Sequence, residues 1–298
     1  MLHNLAQQSP ITPTSAMAGN RSTGYLERWS CYPATVKFVL LGCGLVLSVV
    51  VPSVSETPQA LASSPVPGAR KLFRHHSTIA WSCLSTDVDG FVYQAGLAVD
   101  ADGAYRAYHP DNWLGLDALA HAGYPGNWWA LATDNGKPSG HPVVQGKTDP
   151  APGYYVSMTA LFDPANPNER DPRRFVDAAS IPYVVLPPAG LKHAKLGDFA
   201  TVINRRNGKV SGAIVADESA PGLKMGEGSM ALADALGIDS NPRSGGIEHG
   251  VAYVIYPGSG NRKPRGLDQI VSISGRYFER WGGLLKLNSC LRYDFTKN

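Results

Sequence analysis

Charged residues are scarce in this 298-residue chain. Asp, Glu, Lys and Arg make up 17% of it, against roughly 25% in an average soluble domain. The 27 cations and 24 anions leave a net charge of only +3. Nothing in this balance resembles a nucleic-acid footprint, which needs clustered Lys and Arg on one face. The one basic cluster, "NRKPRG" at 261–266, reads as a solvated loop. Metal and cofactor signatures are missing too. There is no HExxH and no CxxC pair, and the histidines are dispersed apart from His75 and His76. "GSGNRKPRG" lacks GxGxxG spacing and the Lys-Ser/Thr ending of a phosphate loop. "DVDG" (87–90) and "DADG" (100–103) lack the full ligand series and distant bidentate Glu of a calcium loop. They read as turns. Ser229 in "GEGSM" lacks the frame of a nucleophile elbow and suits a helix cap. No metal or organic cofactor and no nucleic-acid partner is therefore expected.

Cysteine is equally sparse. Cys31 and Cys43 fall in the N-terminal leader, leaving only Cys83 and Cys290 beyond it. Lys37 is followed by no charge from Phe38 to Ser55. Such a run is long enough for a signal h-region and marginal for a span of roughly 20 residues. Arg21, Arg28 and Lys37 on its N-terminal side keep that side cytoplasmic. "ALA" at 60–62 offers a cleavage site after Ala62. The run thus serves either as a cleaved signal or as an anchor through residues 38–54. The organisation read here is leader 1–36, signal or anchor 37–62, linker 63–76 and a folded domain 77–298. The last is secreted or periplasmic. In such a compartment Cys83 and Cys290, near opposite ends of the domain, are expected to form a disulfide.

Gly and Pro are abundant and scattered, which favours many turns and short strands. "GFVYQAGLAVDADGAYRAYHP" reads as two strands turning at Asp102-Gly103, and "GLDALAHAG" (115–123) as a short helix. Strands are expected at 153–162, 183–188, 198–204, 210–217 and in "GVAYVIYPG". Helices follow in "GSMALADALGI" and around 267–282, where Leu267, Ile270, Val271, Tyr277, Phe278 and Trp281 recur at helical spacing. Many strands and few helices exclude a regular doubly wound sheet. They fit a mainly β, compact, barrel-like domain with a few packed helices, in which "SGAIVAD" is a central strand.

The chemistry concentrates in "VADESAPGLKMGEGSMALADALGI", 215–238. Asp217 closes an apolar strand. Glu227 stands between two glycines just before a helix. Taken alone, they are equally well a turn residue and a helix-terminal charge. An Asp and a Glu on opposite sides of one loop are also what glycosidic bond cleavage uses, one as acid and one as base.

Here a resemblance becomes visible. "GDFATVINRRNGKVSGAIVADESAPGLKMGEGSMALADALGI" resembles the core of the glycoside hydrolase family 75 chitosanases. "YVVLPP" and "GVAYVIYPGSG" are similar to further family segments. "DADGAYRAYHPDN" and "AGYPGNWWAL" are similar to the bacterial branch. The resemblance implies an endo-acting, inverting hydrolase of the β-1,4 bonds of chitosan, with Asp217 as general base and Glu227 as general acid. It also suggests a double-psi-like barrel. Glu218, beside Asp217, should face the other way along a continuing strand. A polyamine with sugar faces calls for carboxylate and aromatic subsites. Asp198, Asp100, Asp102, Trp113 and Trp128 are the candidates, with at most one of Trp128 and Trp129 lining a cleft. The expected partner is the amino-sugar polysaccharide, and the chain is expected to be a monomer. Two rivals remain open: a peptidoglycan-cleaving, lytic transglycosylase-like enzyme and a non-catalytic polysaccharide-binding module.

Overall fold

The computed structural model describes residues 69–83, 87–220 and 222–292, so the expected leader and signal or anchor segment lie outside the described residues. The chain begins with a hairpin, β1 (Ala69–His75) and β2 (Thr78–Cys83), followed by the long β3 (Phe91–Asp100). A segment with little regular structure then runs to residue 182. It holds a two-strand ribbon, β4 (Gly123–Tyr124) with β5 (Asn127–Trp128), and two 3₁₀ turns. The rest is regular: β6 (Tyr183–Leu186), α1 (Pro188–Leu191), β7 (Phe199–Asn204), β8 (Val210–Glu218), β9 (Glu227–Ser229), α2 (Met230–Ala235), β10 (Ile247–Ile255), α3 (Leu267–Trp281) and α4 (Gly283–Arg292).

Six strands close on themselves in the order β3-β10-β7-β8-β6-β9 and back to β3. The β6–β8 and β9–β3 pairs are parallel and the others antiparallel. The mainly β, barrel-like expectation is met, and closure removes the open edges a sheet would otherwise expose. Alternate residues divide between two apolar layers. Phe91, Tyr93, Val184, Val202, Val215 and Tyr253 form one cluster, with the Tyr93 and Tyr253 rings stacked at 4.6 Å. Their neighbours Val92, Val185, Ile214 and Val254 join a second cluster with α3, α4 and the long segment. The first layer fills the lumen and the second covers the outer wall. β8 is central, with β7 on one side and β6 on the other, and Ala213 to Ala216 are wholly buried.

Several elements differ from expectation. The second strand expected after Asp102 is a series of turns, the helix at 115–123 reduces to a 3₁₀ turn at Leu119–His121, and 153–162 contributes only isolated bridges. Side-chain hydrogen bonds hold this segment in place of a ladder. Gln145, for example, reaches the carbonyls of Tyr105 and Tyr155 and accepts from Ala151 N–H. β1 lies inside the expected linker. Its charged flanks hide an apolar step at Leu72 and Phe73, which packs on the lumen layer, with Phe73 edge-on to Phe91. Cys83 and Cys290 form a disulfide, with Cα atoms 6.2 Å apart, joining β2 to α4.

Candidate active site

The acids gather on the outer wall where β8, β6, β9 and β3 lie side by side. β8 carries a bulge: Val184 pairs with Val215, and the next residue, Val185, pairs with Asp217. The extra residue, Ala216, lets a lumen-facing run end with Asp217 turned outward, the re-aiming for which bulges recur beside active sites. On the other side of β6, Val185 also pairs with Glu227. Glu227 in turn opposes Ala98 on β3, two residues before Asp100. Asp217 and Glu227 therefore occupy one transverse row with a single strand between them. Two strand spacings put their backbones about 9–10 Å apart.

The two glycines beside Glu227 have a specific reason. Gly226 has φ +100°, and a Cβ there would meet Gly96 O at 2.7 Å. One on Gly228 would meet Tyr183 O at 2.7 Å. Side chains at either position would push β9 out of its slot between β6 and β3. Ser229 fixes the slot from the other end. Its buried hydroxyl accepts from the N–H groups of Leu232 and Tyr183 and donates to Ile181 O. The expected helix cap is present, and it also ties β9 to β6.

Asp100 and Asp102 complete the cluster from the end of β3. One carboxylate oxygen from each lies within 4.8 Å of one from Asp217. This is a grouping that could hold a cation, whether a metal ion or an ammonium. Tyr183 Oη donates to Asp100 Oδ2 at 3.0 Å, and Tyr108 Oη to Asp102 Oδ1 at 2.7 Å. Asp117, on a loop of the long segment, is buried and adds charge that raises the pKa of both Asp100 and Glu227. Its own partner is His121 Nδ1 at 2.9 Å. Arg243 holds that loop by donating to the carbonyls of Asn112, Gly115, Leu116 and Asp117. Among the described residues, no Lys or Arg forms an ion pair with Asp100, Asp102, Asp217 or Glu227.

Burial and mutual repulsion set the protonation of these groups. Burial, then the Asp100 and Asp217 charges, push Glu227 up to about 8. Burial raises Asp100 to about 6, against the hydrogen bonds from Asp102 N–H and Tyr183. Asp102 and Asp217 are raised as well, by burial first and by Asp100 next. Asp217 differs from Glu227 in one respect. Its Oδ1 accepts two backbone N–H groups, from Ala160 at 3.0 Å and Glu218 at 2.8 Å, which favour the ionised form. Among the described residues, the Glu227 carboxyl accepts no hydrogen bond, so nothing offsets its burial. A helix N-terminus would have lowered the pKa of Glu227, but the residue sits in β9, outside the first turn of α2.

The other candidates are placed as follows. Trp113 is 85% exposed on the loop that carries Asp117. Trp128 is in the core at 8% exposure, while Trp129 is 52% exposed beside Tyr124. The exposed ring of this pair is thus Trp129, and Trp128 is corrected to a packing residue. Asp198 is corrected likewise. It is 1% exposed, its Oδ2 accepts from Lys195 and Gly258 N–H and its Oδ1 from Gly260 N–H, so it fastens two loops together. Asp117, Tyr108, Tyr183 and Arg243 were missed. Only their arrival from distant segments gives them a role, and no local motif marks them.

A barrel wall bearing two outward carboxyls on alternate strands, in contrasting environments, has the parts of a glycoside hydrolase. Residues 156–277 match the family described as fungal chitosanase of glycosyl hydrolase group 75. That segment, about two fifths of the chain, contains Asp217 and Glu227 and is what the chain has in common with this group. No curated protein gives a significant match.

Proposed function

We propose that the chain is an exported, endo-acting chitosanase that hydrolyses β-1,4 glucosamine linkages with inversion. Asp217 is the general base and Glu227 the general acid. The observation that carries this reading is the shared pairing of both residues with Val185. A separation of two strands leaves room for a water beside the sugar, as inversion requires of carboxyls roughly 6.5–9.5 Å apart. The raised pKa of Glu227 suits a proton donor to the leaving oxygen. The two N–H groups on Asp217 suit the group that takes a proton from the water.

A surplus of carboxyls supports a polyamine substrate. Asp100, Asp102 and Asp117 exceed the two acids that hydrolysis uses, and among the described residues no cationic side chain forms an ion pair with the first two. Glucosamine ammonium groups would supply the missing charge, which the N-acetyl groups of chitin cannot. Trp113, Tyr124 and Trp129 are exposed aromatic rings on or near the loop carrying Asp117. Export accords with the apolar run at 38–54 and with the Cys83–Cys290 disulfide, a bond that persists in oxidising compartments.

The deciding experiment incubates the chain with chitosan, chitin and peptidoglycan, following products by mass and the first anomer formed by NMR. Chitosan oligomers released as α-anomers are expected. Cleavage of peptidoglycan to anhydro-sugars, or β-anomers from chitosan, would refute the reading.

A further inference from the structure

The basic loop that the sequence leaves as a solvated turn does not stand free. It folds against α3, and Arg265 joins Arg276 and Arg280 around a cavity of about 340 Å³. Phe199 and Tyr277, stacked at 6.2 Å, with Ile273 and Ser259, line the remainder. None of Asp100, Asp102, Asp117, Asp217 and Glu227 lines it. The Ser259 hydroxyl is already engaged, donating to Tyr256 O and accepting from Phe199 N–H.

The guanidinium groups are less well provided. Arg265 Nε is buried and has no hydrogen-bond partner among the described residues. A buried donor of a permanently charged group left unsatisfied is costly, and it marks a place where an acceptor from outside is favoured. Arg280 has one weak partner, Asp87 at 4.0 Å, with both side chains largely exposed. Three guanidinium groups around one cavity repel each other unless an anion sits among them. Their planar donor forks match the oxygens of a phosphate.

We propose that this cavity is a binding site for a phosphate group, separate from the acidic cleft. Its ligand is either free inorganic phosphate or a phosphodiester of an anionic wall polymer. In the second case the site would hold an exported enzyme on a surface while the cleft, opposite in charge, takes a polycation. The anion site rests on Arg265, Arg276 and Arg280 alone and does not depend on which polysaccharide the cleft cleaves.

The test is equilibrium dialysis of the full chain with labelled inorganic phosphate, in chloride at constant ionic strength. Saturable binding at one site is expected, weakened about tenfold or more by Arg276→Gln, an exposed substitution on α3, and by Arg265→Gln. Hydrolysis of a soluble chitosan oligomer should be unchanged in both variants. A parallel pull-down with poly(glycerol phosphate) separates the sources. Retention lost in the same variants assigns the polymer, and phosphate binding without retention assigns the free ion. Absence of saturable binding by both probes, or binding that survives both substitutions, overturns the proposal.

Discussion

Asp217 and Glu227 are partners of the same residue: Val185 pairs with Asp217 on one side of β6 and with Glu227 on the other. Ten residues apart in the chain, they are held in one row by a strand that belongs to neither. The geometry of the pair is thus set by ladder spacing rather than by the connecting loop.

That arrangement predicts the effect of isosteric substitution. Asp217→Asn and Glu227→Gln should each lower kcat by about 10²–10⁴-fold, with circular dichroism and oligosaccharide binding retained. Glu218→Gln should lose less than about threefold, because Glu218 is exposed at the end of β8. Full activity in both carboxamide variants would exclude the proposed pair.

The raised pKa values predict an unusual stability profile. Glu227 at about 8 and Asp100 at about 6 both lie above their unfolded values. The folded state then holds more protons than the unfolded one, so stability falls as pH rises. The contribution is fully present below the unfolded carboxyl range and is lost as pH climbs from about 4 through about 8. The Tm of the substrate-free chain should therefore decline over this window. Glu227→Gln should flatten the decline and raise Tm at pH 8 by at least about 2 °C. A Tm that rises steadily from pH 4 to 8 would contradict the buried, unpaired cluster.

Ser229 should matter for both stability and rate. Its hydroxyl makes three hydrogen bonds, two of them buried, that tie β9 to β6 and α2. Ser229→Ala should cost about 2 kcal/mol by urea unfolding. In the folded fraction it should also lower kcat more than it raises KM, because β9 carries Glu227. Equal loss in stability with unchanged kcat would make Ser229 a cap only.

The exposed rings offer a contrast with the buried one. Trp113→Ala and Trp129→Ala should leave Tm within about 2 °C of the parent and weaken chitosan binding by about 1 kcal/mol each. Trp128→Ala should instead destabilise the chain by about 3–5 kcal/mol. Titration calorimetry and thermal melts distinguish the two outcomes.

Thiol labelling of the unreduced chain should leave Cys83 and Cys290 unmodified. Replacing both with Ala should cost about 2–5 kcal/mol, since the bond closes a loop between residues 207 positions apart. Ready labelling of either cysteine in the folded chain would contradict the bond.

Much of the barrel was legible in the sequence. β6, β7, β8, α2, β10 and α3 announce themselves through apolar runs or helical spacing bounded by Gly, Pro and Asn. Burial on both sides of a wall demands such patterns, as "SGAIVAD" shows. The same local rules marked Ser229 as a helix cap. The resemblance carried by Asp217 and Glu227 was legible too, because those residues sit within a continuous stretch of motif.

Tertiary structure alone decided the rest. β9 is three residues long and exists only because β6 and β3 accept it from either side. The bulge that turns Asp217 outward is a matter of register against Val184 and Val185, and a single strand carries no trace of it. The segment from 101 to 182 is shaped by side-chain and turn hydrogen bonds rather than by a strand ladder, so its delivery of Asp117 to the acidic cluster could not be foreseen. Nor could a sequence distinguish Asp198, whose oxygens are all taken by loop N–H groups, from Asp100, whose neighbours are other carboxylates. Residue type and spacing fix what a side chain can do. Which of its partners arrive from distant strands fixes its charge, its exposure and therefore its role.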